Sequence, residues 1–248
     1  MSYLQETIKP YAEEGEKREQ VEEMFDSIAP TYDKLNHTLS FGIDRCWRKR
    51  AIKALQAYRP RHILDIATGT GDFALLCARH IKPEEIIGAD ISEGMMQQGR
   101  RKAEQAGLSH IVRFQTEDCS RLSFPDESFD AVTCTFGVRN FQDLDTALTE
   151  MYRVLSPGGH ALILELSAPP HFPMKQLFRM YSHWLMPAVG SLLSRDRKAY
   201  RYLTASIEAF PQGEVMEQIL RKAGFARVEW KRLTMGISTL FLAEKTEK

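Results

Sequence analysis

Asp90 stands at the end of an apolar run, nineteen residues beyond the second glycine of Leu64-Asp65-Ile66-Ala67-Thr68-Gly69-Thr70-Gly71-Asp72. Glycines let a backbone take φ > 0 and approach a ligand closely. A carboxylate at the tip of the following strand accepts two ribose hydroxyls. Gly69-x-Gly71-x-x-Ala74 also meets the dinucleotide pattern G-x-G-x-x-G/A, so the first expectation is a nucleoside cradle. Which nucleoside it holds turns on charge. Asp65 lies inside the strand, where a dinucleotide site keeps an apolar residue, and Asp72 follows the turn. Two carboxylates disfavour a pyrophosphate and favour a cation. S-adenosylmethionine, with a sulfonium, an ammonium and no phosphate, suits the turn. Asp118 and Cys119 follow a third strand, where a carboxylate can accept the adenine amine and where a solvated strand-end acid fits equally well.

These residues need a scaffold, and the rest of the chain describes one. At 248 residues, 43% hydrophobic and 27% charged, the composition is that of a soluble globular protein of one domain. A formal net charge of zero gives no reason to expect nucleic acid as a partner. The four cysteines form no CxxC pair and no metal spacing, which fits a reducing cytoplasm and no bound metal. The acidic, polar N-terminus is not a signal peptide, and no run of 18 apolar residues spans a membrane. Strands are predicted at 62–67, 85–90, 111–116, 129–136 and 160–167, with helices near 71–81, 93–106 and 143–155. Such alternation implies a parallel sheet with right-handed crossovers. After Ser167 the rhythm breaks into an apolar, helical insertion. A helix at 212–223 then ends at Gly224, and two β-like runs at 226–234 and 237–243 form a hairpin. Before the sheet, residues 12–26 carry seven acids and two bases, with Val21, Met24, Phe25 and Ile28 on one helical face. A basic helix covers 44–58, and the aromatic stretch between the two reads as a packed loop. The expected fold is α/β and Rossmann-like, with a central, mostly parallel seven-stranded sheet. An antiparallel C-terminal edge strand, helices on both faces and a helical insertion before the last strands complete it. Four parts follow: a helical cap at 1–60, a core at 61–167, a lid at 168–211 and a C-terminal helix with edge strands at 212–248.

Taken in order, D-x-A-x-G-T-G, A-D-I-S, E-D-C, F-D-A-V and L-S-P-G-G resemble the class I S-adenosylmethionine-dependent methyltransferases over about residues 62–167. Phe25-Asp26-Ser27-Ile28-Ala29-Pro30-Thr31-Tyr32-Asp33, Leu39-Ser40-Phe41-Gly42 and Thr135-Phe136-Gly137-Val138-Arg139-Asn140-Phe141 narrow this. Together with Tyr200-Arg201-Tyr202-Leu203 and Phe210-Pro211, they resemble the menaquinone and ubiquinone biosynthesis C-methyltransferases. The resemblance implies a cofactor site of Asp65, Gly69, Thr70, Gly71, Asp90, Ile91, Asp118, Cys119 and Thr135. It implies methylation of a ring carbon of a prenylated quinol. Demethylmenaquinol is the favoured substrate, partly because the chain lacks the longer targeting region of a mitochondrial member. The benzoquinol of the ubiquinone pathway, or another small molecule, is the alternative.

The chemistry must agree. A phenol has a pKa near 10, so a quinol carbon becomes a good nucleophile only when a base takes the hydroxyl proton or a cation holds the phenolate. Arg139 is the candidate cation, with pairing to a local acid such as Asp143 as the competing role. Asn140 orients the quinol oxygen or caps the next segment, and Tyr32 closes over the methyl donor, hydrogen-bonds the quinol or simply packs. Asp118, or a water it holds, is the candidate base; His37 is left out. Residues 171–205 carry six bases and one acid among apolar residues such as Leu177, Phe178, Tyr181, Trp184, Met186 and Leu192. They read as a lid, or as a tunnel for the prenyl tail with bases resting on anionic headgroups. The expected location is cytoplasmic, with transient peripheral contact at the inner face of the cell membrane, and a homodimer is left open. A nicotinamide-dependent oxidoreductase would need a motif such as Tyr-x-x-x-Lys, which is absent. A non-catalytic assembly protein on the same fold is the remaining rival.

Overall fold

A computed structural model describes residues 3–12, 14–185 and 197–247. Seven strands make one sheet: β1 (His62–Ile66), β2 (Glu85–Asp90), β3 (Val112–Thr116), β4 (Phe129–Thr135), β5 (Leu155–Leu166), β6 (Arg227–Leu233) and β7 (Ser238–Glu244). Their order is β3-β2-β1-β4-β5-β7-β6. β1 to β5 pair in parallel. β7 runs antiparallel to both β5 and β6, so β6 takes the edge. The strand order turns back on itself between β1 and β4, which opens a crevice at the carboxyl ends of those strands.

The local sequence explains the layers. β1 reads His-Ile-Leu-Asp-Ile, and period-two alternation sends Leu64 and Ile66 into one apolar core and Ile63 into the opposite one. Ten helices cover the sheet among the described residues. Of those that flank it, α5 (Asp72–His80) follows the glycine turn and α6 (Glu93–Gln105) follows β2. α7 (Leu144–Val154) spaces Leu144, Ala147, Leu148, Met151 and Val154 three and four apart, and all five are fully buried. Asp143 caps α7, accepting from the Thr146 N–H at 2.9 Å. It is therefore not the partner of Arg139. Between β4 and β5 the pairing jumps from Phe129↔Leu155 to Ala131↔His160, so the Pro157-Gly158-Gly159 turn bulges out.

The N-terminal part roofs the crevice. It holds α1 (Leu4–Thr7), α2 (Lys17–Ile28), α3 (Tyr32–Leu39) and α4 (Asp44–Gln56). The stretch read as a packed loop thus contains α3. Only Leu35 of that helix is fully buried, so eight residues offer too little periodicity to betray it. Asp26 of α2 accepts from Ser92 Oγ at 2.6 Å and from the Gly94 N–H at 3.0 Å. A Cβ on Gly94 would stand 2.8 Å from that carboxylate, so the glycine allows the close approach. Lys17, buried, donates to the carbonyls of Gln5, Arg139 and Phe141 at 2.7, 3.2 and 3.3 Å. The cap is thereby tied to the turn that follows β4.

The insertion contributes α8 (Met174–Met180), a π-helical turn at Tyr181–Leu185 and α9 (Arg197–Ala209). Met186 and Leu192, assigned to the tunnel, lie outside the described residues. α10 (Glu214–Lys222) ends before Gly224, whose φ of +115° completes the helix stop. No helix among the described residues is long and apolar enough to cross a membrane.

Candidate active site

A cavity of about 270 Å³ opens at the switch between β1 and β4, under α2. Asp90, at the tip of β2, forms part of its wall. The Gly69 N–H donates to one carboxylate oxygen at 2.7 Å, and the Ser92 N–H donates to the other at 2.9 Å. The carboxylate therefore fixes the glycine turn while keeping lone pairs for hydroxyls. Gly69 has φ +56°, and a Cβ there would press on Met95 at 3.2 Å. Ile91, Met95, Leu122 and Phe25 add apolar surface on which a purine can lie. Asp118, further along the same wall, accepts from the Ser120 N–H at 2.8 Å, from Ser120 Oγ at 2.7 Å and from Arg18 Nη1 at 2.5 Å. Burial opposes its charge, but the Ser120 and Arg18 contacts outweigh it and hold the carboxyl below the usual range. An acid that stays ionised is a good acceptor for an exocyclic amine. These residues fit S-adenosylmethionine, with Asp90 for the ribose and Asp118 for the adenine; bound there, it supplies an electrophilic methyl group.

Burial pushes the Asp90 carboxyl up to about 6, which yields a pH prediction. Ribose hydroxyls need the ionised form, so binding must expel the proton below pH 6. S-adenosylmethionine affinity, followed by calorimetry, is expected to be flat above pH 7. It should then fall about tenfold per pH unit below 6. The empty fold shows the opposite trend at this group. It is stabilised below the carboxyl's unfolded range and loses that contribution as pH rises through about 6.

Of the expected cofactor residues, Gly69, Asp90, Ile91, Asp118, Cys119 and Thr135 line this cavity. Asp65, Thr70 and Gly71 do not, for local reasons. Both oxygens of buried Asp65 are taken by hydroxyls, Thr68 at 2.7 Å and Thr133 at 2.6 Å, so it braces β1 against the turn. Thr70 is buried and donates to Asp33 of α3 at 2.6 Å. Gly71 caps α5 at φ +73°, where a Cβ would strike Phe114 at 2.7 Å. Asp72 is drawn to Lys102 on α6, away from the cavity. The two carboxylates that argued against a phosphate thus stand outside the lining of this cavity.

A second cavity, of about 250 Å³, shares Tyr32 and Phe136 with the first. Its walls are almost wholly apolar and include Leu39, Phe41 and Trp47 of the cap and Leu177, Phe178 and Tyr181 of the insertion. Three charged side chains interrupt them: Asp44, Arg48 and Arg139. Arg139 is buried and pairs with the fully buried Glu165, Nη1 to Oε1 at 2.7 Å, while its own N–H donates to Oε2 at 3.1 Å. Burial opposes the guanidinium's charge and Glu165 outweighs it. Arg48 donates to Thr135 Oγ1 at 3.2 Å and lies over the Phe136 ring, 5.0 Å from its centroid. It joins the two cavities.

Tyr32 lines both cavities and stands at their junction. Asn140 lines the nucleoside cavity, and its Oδ1 accepts from Tyr202 at 3.1 Å. Asp118, the candidate base, lines the nucleoside cavity and not the apolar one. Arg18, Arg48 and Asp44 are additions that sequence reasoning missed. A signal for two of them existed: Asp44 and Arg48 lie four apart on the same face of α4 as Trp47, Ala51 and Leu55.

Residues 13–245 match the ubiE/COQ5 methyltransferase family. A demethylmenaquinone methyltransferase of Bacteroides fragilis is 58% identical over 245 residues, covering 99% of this chain and all of that one. A ubiquinone/menaquinone biosynthesis C-methyltransferase UbiE of Geotalea daltonii is 42% identical over 231 residues, 93% of this chain and 98% of that one. Among solved structures, the [4+2]-cyclase SpnF superposes with a TM-score of 0.66 at 19% identity, covering 93% of this chain and 97% of that one. At that identity the likeness speaks for the fold alone.

Proposed function

The chain belongs to the ubiE/COQ5 methyltransferase family, and on that premise we propose that it transfers a methyl group from S-adenosylmethionine to a ring carbon of demethylmenaquinol, giving menaquinol. One observation carries this reading. A cavity that carries the Asp90 and Asp118 carboxylates and an almost wholly apolar cavity meet at Tyr32 and Phe136, and the apolar one holds buried cations. The nucleoside end positions the donor through Asp90 and Asp118. The apolar end takes the quinol ring, with Arg139 and Arg48 placed to hold the negative charge that develops on its oxygen. Fixing both reactants in line contributes about 7–11 kcal/mol to lowering the barrier. The Geotalea relative is named for both quinone pathways, so the corresponding benzoquinol is the second reading. Quinones extracted from a strain lacking this chain separate the two. Accumulated demethylmenaquinone supports the first, an unmethylated benzoquinone the second, and unchanged quinones reject both.

A long isoprenoid tail keeps such a substrate in a bilayer, so the mouth of the apolar cavity should meet lipid. Phe41, Phe172, Met180 and Trp184 are exposed, Phe172 and Trp184 each by 79%, with Lys175 and Arg179 on the same helical segment or beside it. Trp184 fluorescence is expected to shift to the blue on addition of vesicles containing anionic lipid. Phe172→Glu with Trp184→Glu should weaken binding to those vesicles at least tenfold, since each buried aromatic contributes about 2 kcal/mol. Turnover of a short-tailed, water-soluble quinol should be unchanged. Equal vesicle binding by the double variant would reject this face.

A further inference from the structure

Asp44 is the one carboxylate among the described residues lining the apolar cavity, and the roles assigned so far do not use it. It is 4% exposed. Ser40 Oγ donates to Oδ1 at 2.7 Å, His37 Nδ1 lies 2.9 Å from Oδ2, and Arg48 Nε stands 3.7 Å from the same oxygen. The other ring nitrogen of His37 points the opposite way. Nε2 is 3.9 Å from Asp72 Oδ2. His37 and Asp72 both line an open groove of about 400 Å³ that also carries Arg45, Lys49, Arg79 and Lys102 and shares Arg48 with the apolar cavity. A carboxylate and an imidazole in contact thus bridge from the apolar cavity to the charged groove.

We infer that Asp44 is the general base for the quinol hydroxyl and that His37 carries its proton out to the groove. The inference rests on the methyl transfer proposed above. Asp44 accepts the hydroxyl proton; His37, in the tautomer that carries its hydrogen on Nε2, takes it at Nδ1 and releases the Nε2 proton toward Asp72 and solvent. The electron pair left on oxygen enters the ring beside Arg48 and Arg139. The ring carbon forms its bond to the methyl carbon as the sulfur–carbon bond breaks, and that pair stays on sulfur. The C–H proton at the new centre passes through ionised Asp44 back to the oxygen, which restores the hydroxyl. One proton leaves per turnover. The charged and titratable groups around the pair all suit this traffic. Arg48 from α4, Arg139 after β4 and Tyr32 from α3 share the cavity, and Asp72 from α5 faces the outer nitrogen. Burial opposes ionisation of Asp44, but contacts led by the Ser40 hydroxyl hold its carboxyl below the usual range, so it is ionised at neutral pH.

The test measures wild-type, Asp44→Asn, Asp44→Glu and His37→Gln chains with the same reduced demethylmenaquinone, alongside their S-adenosylmethionine affinity. Asp44→Asn should lower kcat about 10²- to 10⁴-fold, the usual contribution of general base catalysis, with cofactor affinity within twofold. Its residual rate should climb with pH toward the phenol's own ionisation near 10, whereas the wild-type rate levels off near neutrality. Asp44→Glu, which restores a carboxylate, should recover part of the rate and the flat profile. His37, as a positioning residue, should show a smaller loss in kcat and an intermediate pH dependence, with KM unchanged. An active wild type beside an Asp44→Asn chain within threefold of it, with the same pH profile, overturns the assignment of the base. An Asp44→Asn chain that loses cofactor affinity, with no recovery in Asp44→Glu, also overturns it in favour of a structural role. An inactive wild type overturns the substrate reading and this inference with it.

Discussion

Replacing Arg139 with methionine is expected to cost both fold and chemistry. Glu165 is fully buried and depends on Arg139 for two hydrogen bonds, one from Nη1 and one from the backbone N–H. Removing one partner of a buried ion pair leaves an uncompensated charge, which destabilises by about 3–5 kcal/mol. For a chain of this length that lowers Tm by on the order of 10 °C. Methyl transfer should fall about 10²- to 10³-fold or more, the usual loss when one stabiliser of a developing oxyanion is removed. The two effects can be separated. Arg139→Met combined with Glu165→Gln removes the stranded charge, so thermal stability should recover by half or more while activity stays lost. Recovery of both would make Arg139 a structural residue only.

The second large effect is expected at Asp90. Its carboxylate ties the Gly69 and Ser92 N–H groups together and faces the nucleoside cavity. Asp90→Ala removes both ties and the acceptor for the ribose. At about 1.5–3 kcal/mol for each hydrogen bond to a charged group, S-adenosylmethionine affinity should drop about 10²- to 10³-fold. The overall fold should persist, because the site sits at the strand ends and outside either apolar core. Calorimetry with a parallel circular dichroism spectrum checks this. Near-normal affinity in Asp90→Ala would mean that the nucleoside binds elsewhere.

The fold was legible because its signals are local. Alternating strands and helices show in runs such as Ile63-Leu64 and Leu144–Val154, whose periods follow from backbone geometry. The path of the chain around the site was less so. α3 buries only Leu35 fully, and the order of β6 and β7 depends on pairings over long range. Gly69, Asp90, Ile91, Asp118, Cys119 and Thr135 reach the cavity because a βα turn constrains where its residues go. Asp65 and Thr70 do not, since neighbouring hydroxyls and Asp33 claim them, and no spacing reveals such competition. Lys17 and Arg18, the two bases in an acidic helix, carried a signal that charge counting passed over. One anchors the cap and the other holds Asp118. Asp44 and His37 come together only through the turn between α3 and α4, which the sequence presents as an aromatic loop.

Transfer of the methyl group itself is the most direct test. The purified chain would be given S-adenosylmethionine deuterated at the methyl and chemically reduced demethylmenaquinone in detergent, and the quinones analysed by mass spectrometry. The expected product is menaquinol bearing one intact trideuteromethyl group on the ring carbon, formed only when both reactants are present. A chain that binds the donor yet leaves the demethylquinone unlabelled would contradict the assignment.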